Sequence, residues 1–187
     1  VMNSKKIAEP IKLLDCSAPC DGSSAVLLVA EEKANKFDSS VWIKGTGQRT
    51  NSASFAKATS DLTTIEAAKL AARDAYETSQ IRPSQVDVAE LHDAFTILEI
   101  LAYEDLGFAK KGEGGKFVGQ QEIAINPRGG IIGCGHPVGA TGVAQVAEIA
   151  SQLAEKAGKR QVKHCKTGLV HNLAAAGSSA SVVIMGV

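Results

Sequence analysis

The chain carries no surplus of charge. Its 187 residues hold 20 Lys and Arg against 20 Asp and Glu, so no field of one sign draws it to nucleic acid or to an acidic membrane surface. No apolar run approaches the roughly 20 residues that span a bilayer. Val1 to Ile11 is polar and holds no apolar h-region of a signal peptide. These absences lead to the expectation of a soluble, cytoplasmic chain. Aromatic residues are few, and the rest of the hydrophobic content is ordinary. The length allows one domain with a real core, or one domain plus a fragment of another.

Cysteine is also scarce. Cys16, Cys20, Cys134 and Cys165 fit no disulfide framework in a chain of this size, and free thiols in a reducing compartment are expected. Cys16-x3-Cys20 has no second pair at metal-ligand spacing, so no metal is expected. The glycines at 129, 130, 139 and 142 do not have the Gly-x-Gly-x-x-Gly spacing of a dinucleotide fingerprint, which argues against NAD.

What the chain does have is His136, inside Gly130-Ile131-Ile132-Gly133-Cys134-Gly135-His136-Pro137-Val138-Gly139-Ala140-Thr141-Gly142. Glycines beside a histidine in a strand-to-helix turn let it approach a ligand closely, and an apolar helix behind the turn fixes it. That is how a general base is positioned. His92 follows a second apolar strand and His171 is placed at the end of a third, so the three point to one catalytic edge of an α/β sheet. His171 alternates away from Asn172 along its strand and reads as structural. Asn172 reads equally as a turn residue or a site residue. Cys134 reads as a small buried residue or a site thiol.

The pattern along the chain predicts a strand over Ala25 to Ala30 and a short polar helix over Glu31 to Lys36. A second strand is expected over Val41 to Gln48, with Gly45 and Gly47 as points of close backbone approach. Ser52 to Asp61 reads as a polar loop that faces solvent or substrate. Thr63-x-x-Glu66 predicts a capping box, followed by a helix of small residues. A strand through Val86, Val88 and Leu91 ends at His92-Asp93, where Asp93 reads as a helix cap, and a helix runs from Ala94 to about Leu106. Lys110 to Gly119 is expected to be a flexible loop. A short strand over Ile123 to Asn126 precedes the glycine-rich turn, and a helix then runs to about Ala157. His164 and Cys165 are expected at the surface of a basic loop. The lysines at 110, 111, 116, 159, 163 and 166 read as a solvated face, or as contacts for a phosphorylated ligand or a partner protein. Leu169 to Asn172 and Ser179 to Met185 are expected to form an antiparallel pair. The order βαβαβαββ from Val41 predicts an α/β fold, a mixed sheet with helices on both faces. Ligands bind beyond the carboxyl ends of strands in such sheets, where His92, Asn126 to His136 and Asn172 fall.

Four stretches resemble the C-terminal half of thiolases of the archaeal and sterol-carrier-protein type. They are Glu90-Leu91-His92-Asp93-Ala94-Phe95, Asn126-Pro127-Arg128-Gly129-Gly130, Gly135-His136-Pro137-Val138-Gly139-Ala140-Thr141-Gly142, and Asn172 to Val187. Leu14 to Ala30 resembles the strand that closes the family's N-terminal domain. The resemblance implies a thiolase-like layered fold. Residues 1–36 would be the last strand and helix of an otherwise missing N-terminal domain, and residues 37–187 the C-terminal domain. It also implies Claisen condensation or thiolytic cleavage of acyl-CoA thioesters, with coenzyme A thioester as substrate and no cofactor.

In the family a cysteine nucleophile takes the acyl group, and His136 matches the histidine that activates it and contacts the thioester oxygen. His92-Asp93-Ala94-Phe95 matches the Asn-Glu-Ala-Phe motif, so His92 would stand where an asparagine orients an oxyanion water. Ala94 and Phe95 would line the pantetheine tunnel, with Ser17 near the pantetheine amides, and Gly135 beside His136 would contact substrate.

Two departures qualify the match. No cysteine here lies in the family's nucleophile context, so that residue is expected from a missing segment or subunit. The C-terminal Cys-x-Gly motif is Asn172-Leu173-Ala174 here, and asparagine cannot transfer a proton. The second acid/base is therefore unassigned, with Cys134 and His92 as candidates, while the backbone N–H near Ala174 remains a possible oxyanion donor. A thiolase-like retro-aldolase and a non-catalytic acyl-CoA-binding subunit are the alternatives. The expected partners are acyl-CoA or CoA, the missing half, and a second copy in a dimer or tetramer. Without that half, the chain is expected to expose apolar area.

Overall fold

Gly45 and Gly47 face one way on strand β3 (Trp42–Thr50), and helix α2 (Glu66–Ser79) lies directly on them. A methyl at Gly45 would come within 2.5 Å of the Ala75 carbonyl oxygen. The helix answers with small residues: Ala67, Ala68, Ala71, Ala72 and Ala75 are all buried. Close approach was expected at these two glycines, and it arises because neither surface has a side chain to hold the other away. This computed structural model describes residues 2–37, 41–52, 61–119 and 122–187.

The other strands are β1 (Lys6–Ala8), β2 (Ile11–Lys12), β4 (Val88–Glu90), β5 (Ala124–Ile125), β6 (Thr167–Ala174) and β7 (Ser179–Gly186). The first two form a small hairpin, and the rest form a five-stranded sheet in the order β3-β7-β6-β4-β5. Within it β3–β7 and β7–β6 are antiparallel, while β6–β4 and β4–β5 are parallel. The expected mixed sheet is therefore present, and the final two strands pair as expected.

The remaining helices are α1 (Glu31–Ala34), α3 (Thr96–Asp105), α4 (Gly114–Phe117), α5 (Gly130–Cys134) and α6 (Thr141–Leu153). The two-residue period of the strands splits the core between the sheet faces. Ala89, Leu169, Leu173, Val182 and Ile184 pack with α2 and α3. Val88, Val170 and Met185 pack with Ile149 and Leu153 of α6 on the other face. No helix among the described residues is long and apolar enough to cross a membrane.

Several local expectations are corrected. Residues 25–30 form no strand; Leu27 and Leu28 are 74% and 69% exposed. A strand needs a partner for its backbone groups, and among the described residues none lies beside this segment. The capping box at Thr63 is absent. Instead the Asp105 carboxylate accepts from the Ile65 N–H at 2.7 Å and the Thr64 hydroxyl at 2.5 Å. Lys110 to Gly119 is not a plain loop: it contains α4, whose Phe117 ring lies 4.9 Å from that of Tyr103. Helix α6 stops at Leu153, and Glu155 takes a positive φ just beyond it. Cys165 is buried in the α6-side core rather than exposed, and its thiol donates to the Gln152 carbonyl. His171 lies inside β6, which runs on to Ala174. The loop expected over Ser52 to Asp61 falls mostly outside the described residues.

Asp105 is buried and supplies the cap from 40 residues away. Burial pushes its carboxyl pKa up, against the pull of Thr64 and Ile65. Removing it strands a buried N–H and a hydroxyl, so Asp105→Ala is expected to cost about 1–3 kcal/mol of unfolding free energy. Urea titration checks this; an unchanged midpoint would contradict the cap.

Candidate functional site

The parallel strands β4, β5 and β6 bring their carboxyl ends to one edge of the sheet, and four loops meet there. His92 and Asp93 follow β4. Asn126 follows β5 and takes a positive φ of 48°. Its carboxamide oxygen accepts from the Leu91 N–H at 2.7 Å, and its amide donates to Glu99 at 3.1 Å. This single side chain ties the end of β5 to the end of β4 and to α3.

Asp93 caps a helix, but α5 rather than the α3 that follows it in sequence. Its carboxylate accepts from the Ile131 N–H at 2.6 Å and lies 3.5 Å from the Ile132 nitrogen. Gly130, at φ 67°, makes this possible, since a methyl there would sit 2.0 Å from Asp93 Oδ2. Below it Glu90 is fully buried. Its Oε1 accepts from the Arg128 N–H at 3.4 Å, and its Oε2 lies 3.8 Å from Arg128 Nε. Burial pushes the Glu90 pKa up to about 7 despite that guanidinium. The glycine-rich turn is thus fastened at Arg128, Ile131 and Ile132 to the segment that presents His92.

Residues 16–20 cross between the two histidine loops. The Ser17 N–H donates to the Ala94 carbonyl, and the His136 N–H donates to the Ala18 carbonyl, both at 2.8 Å. Cys16 bridges to Phe95, and Pro19 bridges to His136. Gly135 has φ 84°, and a methyl on it would strike Cys20 Sγ at 2.6 Å.

These ties bring His92 and His136 edge to face, with ring centroids 5.3 Å apart at 80°. His136 Nδ1 is 2.9 Å from Thr141 Oγ1, which in turn donates to the Pro137 carbonyl at 3.1 Å. A hydroxyl has one hydrogen. With it on Pro137, His136 donates from Nδ1 and keeps a lone pair at Nε2. On the other side, His92 Nδ1 lies 3.2 Å from Asn172 Nδ2. Burial, with His136 close by, lowers the His92 pKa to about 4, so the ring is neutral near pH 7.

The remaining expected residues are distributed as follows. Asn172 joins His92 directly. Ala94 is buried under the His92 loop, while Phe95 is 48% exposed beside Cys16. Ser17 is half-buried next to Ala94, and Ala174 is exposed at the end of β6. Cys134 is exposed and its thiol donates to the Arg128 carbonyl at 3.2 Å; among the described residues no hydrogen bond joins it to either histidine. The His171 ring makes no hydrogen bond to the cluster, although its backbone carbonyl accepts from Gln145. The residue is fully buried, and neither ring nitrogen has a hydrogen-bond partner among the described residues. Among the described residues no group of three His, Cys, Asp or Glu side chains could hold a metal ion. Beside Asn172 an open groove of about 320 Å³ is lined by Val26, Val138, Val143 and Val146.

Two further residues of α6 contribute to the site. Gln145 on α6 is fully buried and accepts from Asn172 at 2.9 Å. Thr141 at the start of α6 holds His136. Neither stands out in the sequence, because α6 also carries Glu148, Ser151 and Gln152.

His171 carries a pH prediction. Burial, with His92 near it, holds its pKa down to about 3, against 6.5 when free. The unfolded chain therefore takes up a proton that the folded chain refuses. Stability from this group is complete above about pH 6.5 and is lost as pH falls toward 3. His171→Leu is expected to flatten the acid limb of stability by up to about 1.4 kcal/mol per pH unit. Urea midpoints at pH 7 and 5 measure it; parallel curves for the two proteins would contradict it.

Residues 47–187 match the family model described as "Thiolase C-terminal domain-like". The chain is 42% identical over 191 residues to an "Acetyl-CoA acetyltransferase" of Methanothermobacter thermautotrophicus, covering 98% of this chain and 50% of that protein. It is 40% identical over 190 residues to "Sterol carrier protein 2" of Oryctolagus cuniculus, covering 96% of this chain and 35% of that protein. Among solved structures it resembles an "Ltp2-ChsH2(DUF35) aldolase", with TM-score 0.84 and 25% identity over 99% of this chain and 50% of that one. The chain thus spans half the length of the first relative, and about a third of the second.

Proposed function

The chain belongs to the thiolase family, and on that premise we propose that it supplies the C-terminal catalytic half of an acyl-CoA thiolase. The reaction is thiolytic cleavage of a 3-ketoacyl-CoA, or the reverse Claisen condensation. His136 is the base. Its Nε2 lone pair takes the proton of a cysteine thiol, whose free pKa near 8.5 leaves it mostly protonated at neutral pH. The thiolate attacks the 3-keto carbon, the C–C bond breaks, and its electrons pass to the thioester enolate, which takes a proton at the α carbon from the second acid/base and leaves as acetyl-CoA. CoA thiol then gives up its proton to a base of the site and displaces the acyl group from the cysteine as the shortened acyl-CoA. His92 stands on the oxyanion side, as a neutral donor to the thioester oxygen or to a water on it.

The observation that carries this reading is the edge-to-face pair of His92 and His136 at the carboxyl edge of the sheet. The nucleophile is assigned to a cysteine outside this sequence, in the other half of the protein or in a partner subunit. Ser17, Ala94, Phe95 and Gly135 are assigned to the pantetheine side, and the N–H near Ala174 to a second oxyanion contact. Residues 1–36 are read as the end of an N-terminal domain whose remainder packs on the exposed Leu27–Leu28 segment. The assembly is read as a cytoplasmic homo-oligomer. The acid/base for the α carbon is left between His92 and Cys134, and Cys134 is held away toward the Arg128 carbonyl.

A second reading has its own support. Asn172 replaces the Cys-x-Gly cysteine, and the similar solved structure is named an aldolase. A retro-aldolase would take the β-hydroxyl proton with His136 and leave a thioester enolate facing His92, with no acyl-cysteine. The complete protein decides between them. Thiolysis of acetoacetyl-CoA by CoA supports the first reading. Cleavage of a β-hydroxyacyl-CoA without added CoA supports the second, and failure of both leaves a binding subunit.

A further inference from the structure

We infer that Gln145 is a positioning residue that fixes the tautomer of His92 through Asn172. This rests on the reading of His92 as the oxyanion-side histidine, and the test separates the two.

Four groups stand in a row. The His171 carbonyl can only accept a hydrogen bond, and Gln145 Nε2 lies 3.3 Å from it. The Gln145 amide must therefore put its NH₂ on that carbonyl and its oxygen on the other side. That oxygen lies 2.9 Å from the Asn172 carboxamide, so Asn172 must present its NH₂. The second hydrogen of the same NH₂ points at His92 Nδ1, 3.2 Å away. His92 Nδ1 must accept, which leaves the ring proton on Nε2.

The opposite assignment fails at one contact. If His92 carried its proton on Nδ1, Asn172 would turn its oxygen to meet it. That oxygen would then also face the Gln145 oxygen, two acceptors with no hydrogen between them, which is unfavourable. Gln145 is fully buried and His92 is 6% exposed, so both ends of the row are closed to water, with the half-buried Asn172 between them. Gly142 leaves room for the row, because a methyl there would press within 3.3 Å of Asn172 Cγ. The backbone carbonyl inside β6 is thus the fixed reference, and its direction reaches His92 through two amides.

The consequence is a division between the two rings. His136, bonded at Nδ1 to Thr141, offers a lone pair at Nε2. His92, accepting at Nδ1, offers a hydrogen at Nε2. His136 is the base and His92 the donor because their outer partners differ, a hydroxyl oxygen at Nδ1 of the first and an amide hydrogen at Nδ1 of the second.

The test is the ring-nitrogen spectrum of 15N-histidine-labelled protein in its complete assembly, with His92 assigned by loss of its signals in His92→Gln. The wild type is expected to show a pyridine-like Nδ1 and a pyrrole-like Nε2. In Gln145→Leu the constraint is gone, and His92 is expected to gain the Nδ1–H form. Turnover should then fall toward the ~100-fold loss that removing an oxyanion donor costs, with KM little changed. Gln145→Glu keeps an acceptor toward Asn172 and is expected to restore the wild-type tautomer. Asn172→Asp places a carboxylate at Nδ1 and is expected to force the Nδ1–H form, so the wild type and this variant decide the matter even if Gln145→Leu does not fold. A wild-type Nδ1–H form, or an unchanged tautomer in Gln145→Leu, overturns the inference whatever the turnover. A changed tautomer with unchanged turnover upholds it and removes His92 from the oxyanion side.

Discussion

His136→Ala is expected to lower thiolysis of acetoacetyl-CoA in the complete protein by about 100- to 10,000-fold, the usual worth of a positioned general base. The effect should fall on kcat. The His136 ring is bonded to Thr141 at Nδ1, and the backbone on which it sits is secured independently by the His136 N–H on the Ala18 carbonyl. Cutting the ring back to a methyl therefore removes the Nε2 lone pair and leaves the loop bonded. Far-ultraviolet circular dichroism and the urea midpoint should stay close to those of the wild type. His136→Gln refines the result: it keeps a polar group but no base, and should be nearly as slow as the alanine. Near-normal turnover in either variant contradicts the catalytic assignment.

The second large effect is on folding. Gly47→Ala places a methyl 1.9 Å from the Ala71 carbonyl oxygen and 2.8 Å from its carbon. Those are backbone atoms in the middle of α2, so no side chain can swing aside. The helix must lift from β3 by an ångström or more. That opens the packing of the buried alanines 67, 68, 71, 72 and 75, which lie against the sheet along the whole helix. Overpacking a core commonly costs about 1–3 kcal/mol. A backbone-on-backbone clash belongs at or above the top of that range, enough to unfold a domain of ordinary stability. Gly115→Ala is the control. It lies in α4, its added methyl meets nothing within 4 Å, and it should leave stability unchanged or slightly raised. A Gly47→Ala protein with the wild-type midpoint would contradict the packing described for α2.

What was legible in the sequence is local. Gly45 and Gly47 alternate within one strand, and that spacing by itself forecasts a close backbone approach on one face. Gly135 and His136 lie in a turn whose glycines mark a close approach, and His92 follows an apolar strand. These features are written within a few consecutive residues.

What was not legible depends on distant partners. The Asp93 cap falls on Ile131, 38 residues on, although the helix beginning at Thr96 seemed its natural object. The α2 cap comes from Asp105 rather than from the nearby Thr63. Gln145 reads in sequence as one of several polar residues on its helix, and only the folded β6 shows the carbonyl it answers. Cys165 looked exposed because lysines surround it in sequence, yet its own side chain turns inward to the Gln152 carbonyl. The strand expected over Ala25 to Ala30 failed for a related reason. Its residues have the right pattern, but a strand is a relation between two segments, and the partner is not among the described residues.

Under the proposed function, His136 activates a cysteine that lies outside residues 1–187. The most direct measurement is peptide mapping by mass spectrometry after the complete protein is incubated with acetoacetyl-CoA and quenched in acid. An acetyl thioester on a cysteine outside residues 1–187, abolished by His136→Ala, is the predicted result. An acetyl group on Cys16, Cys20, Cys134 or Cys165, or no acyl-enzyme in a protein that turns over, would contradict it.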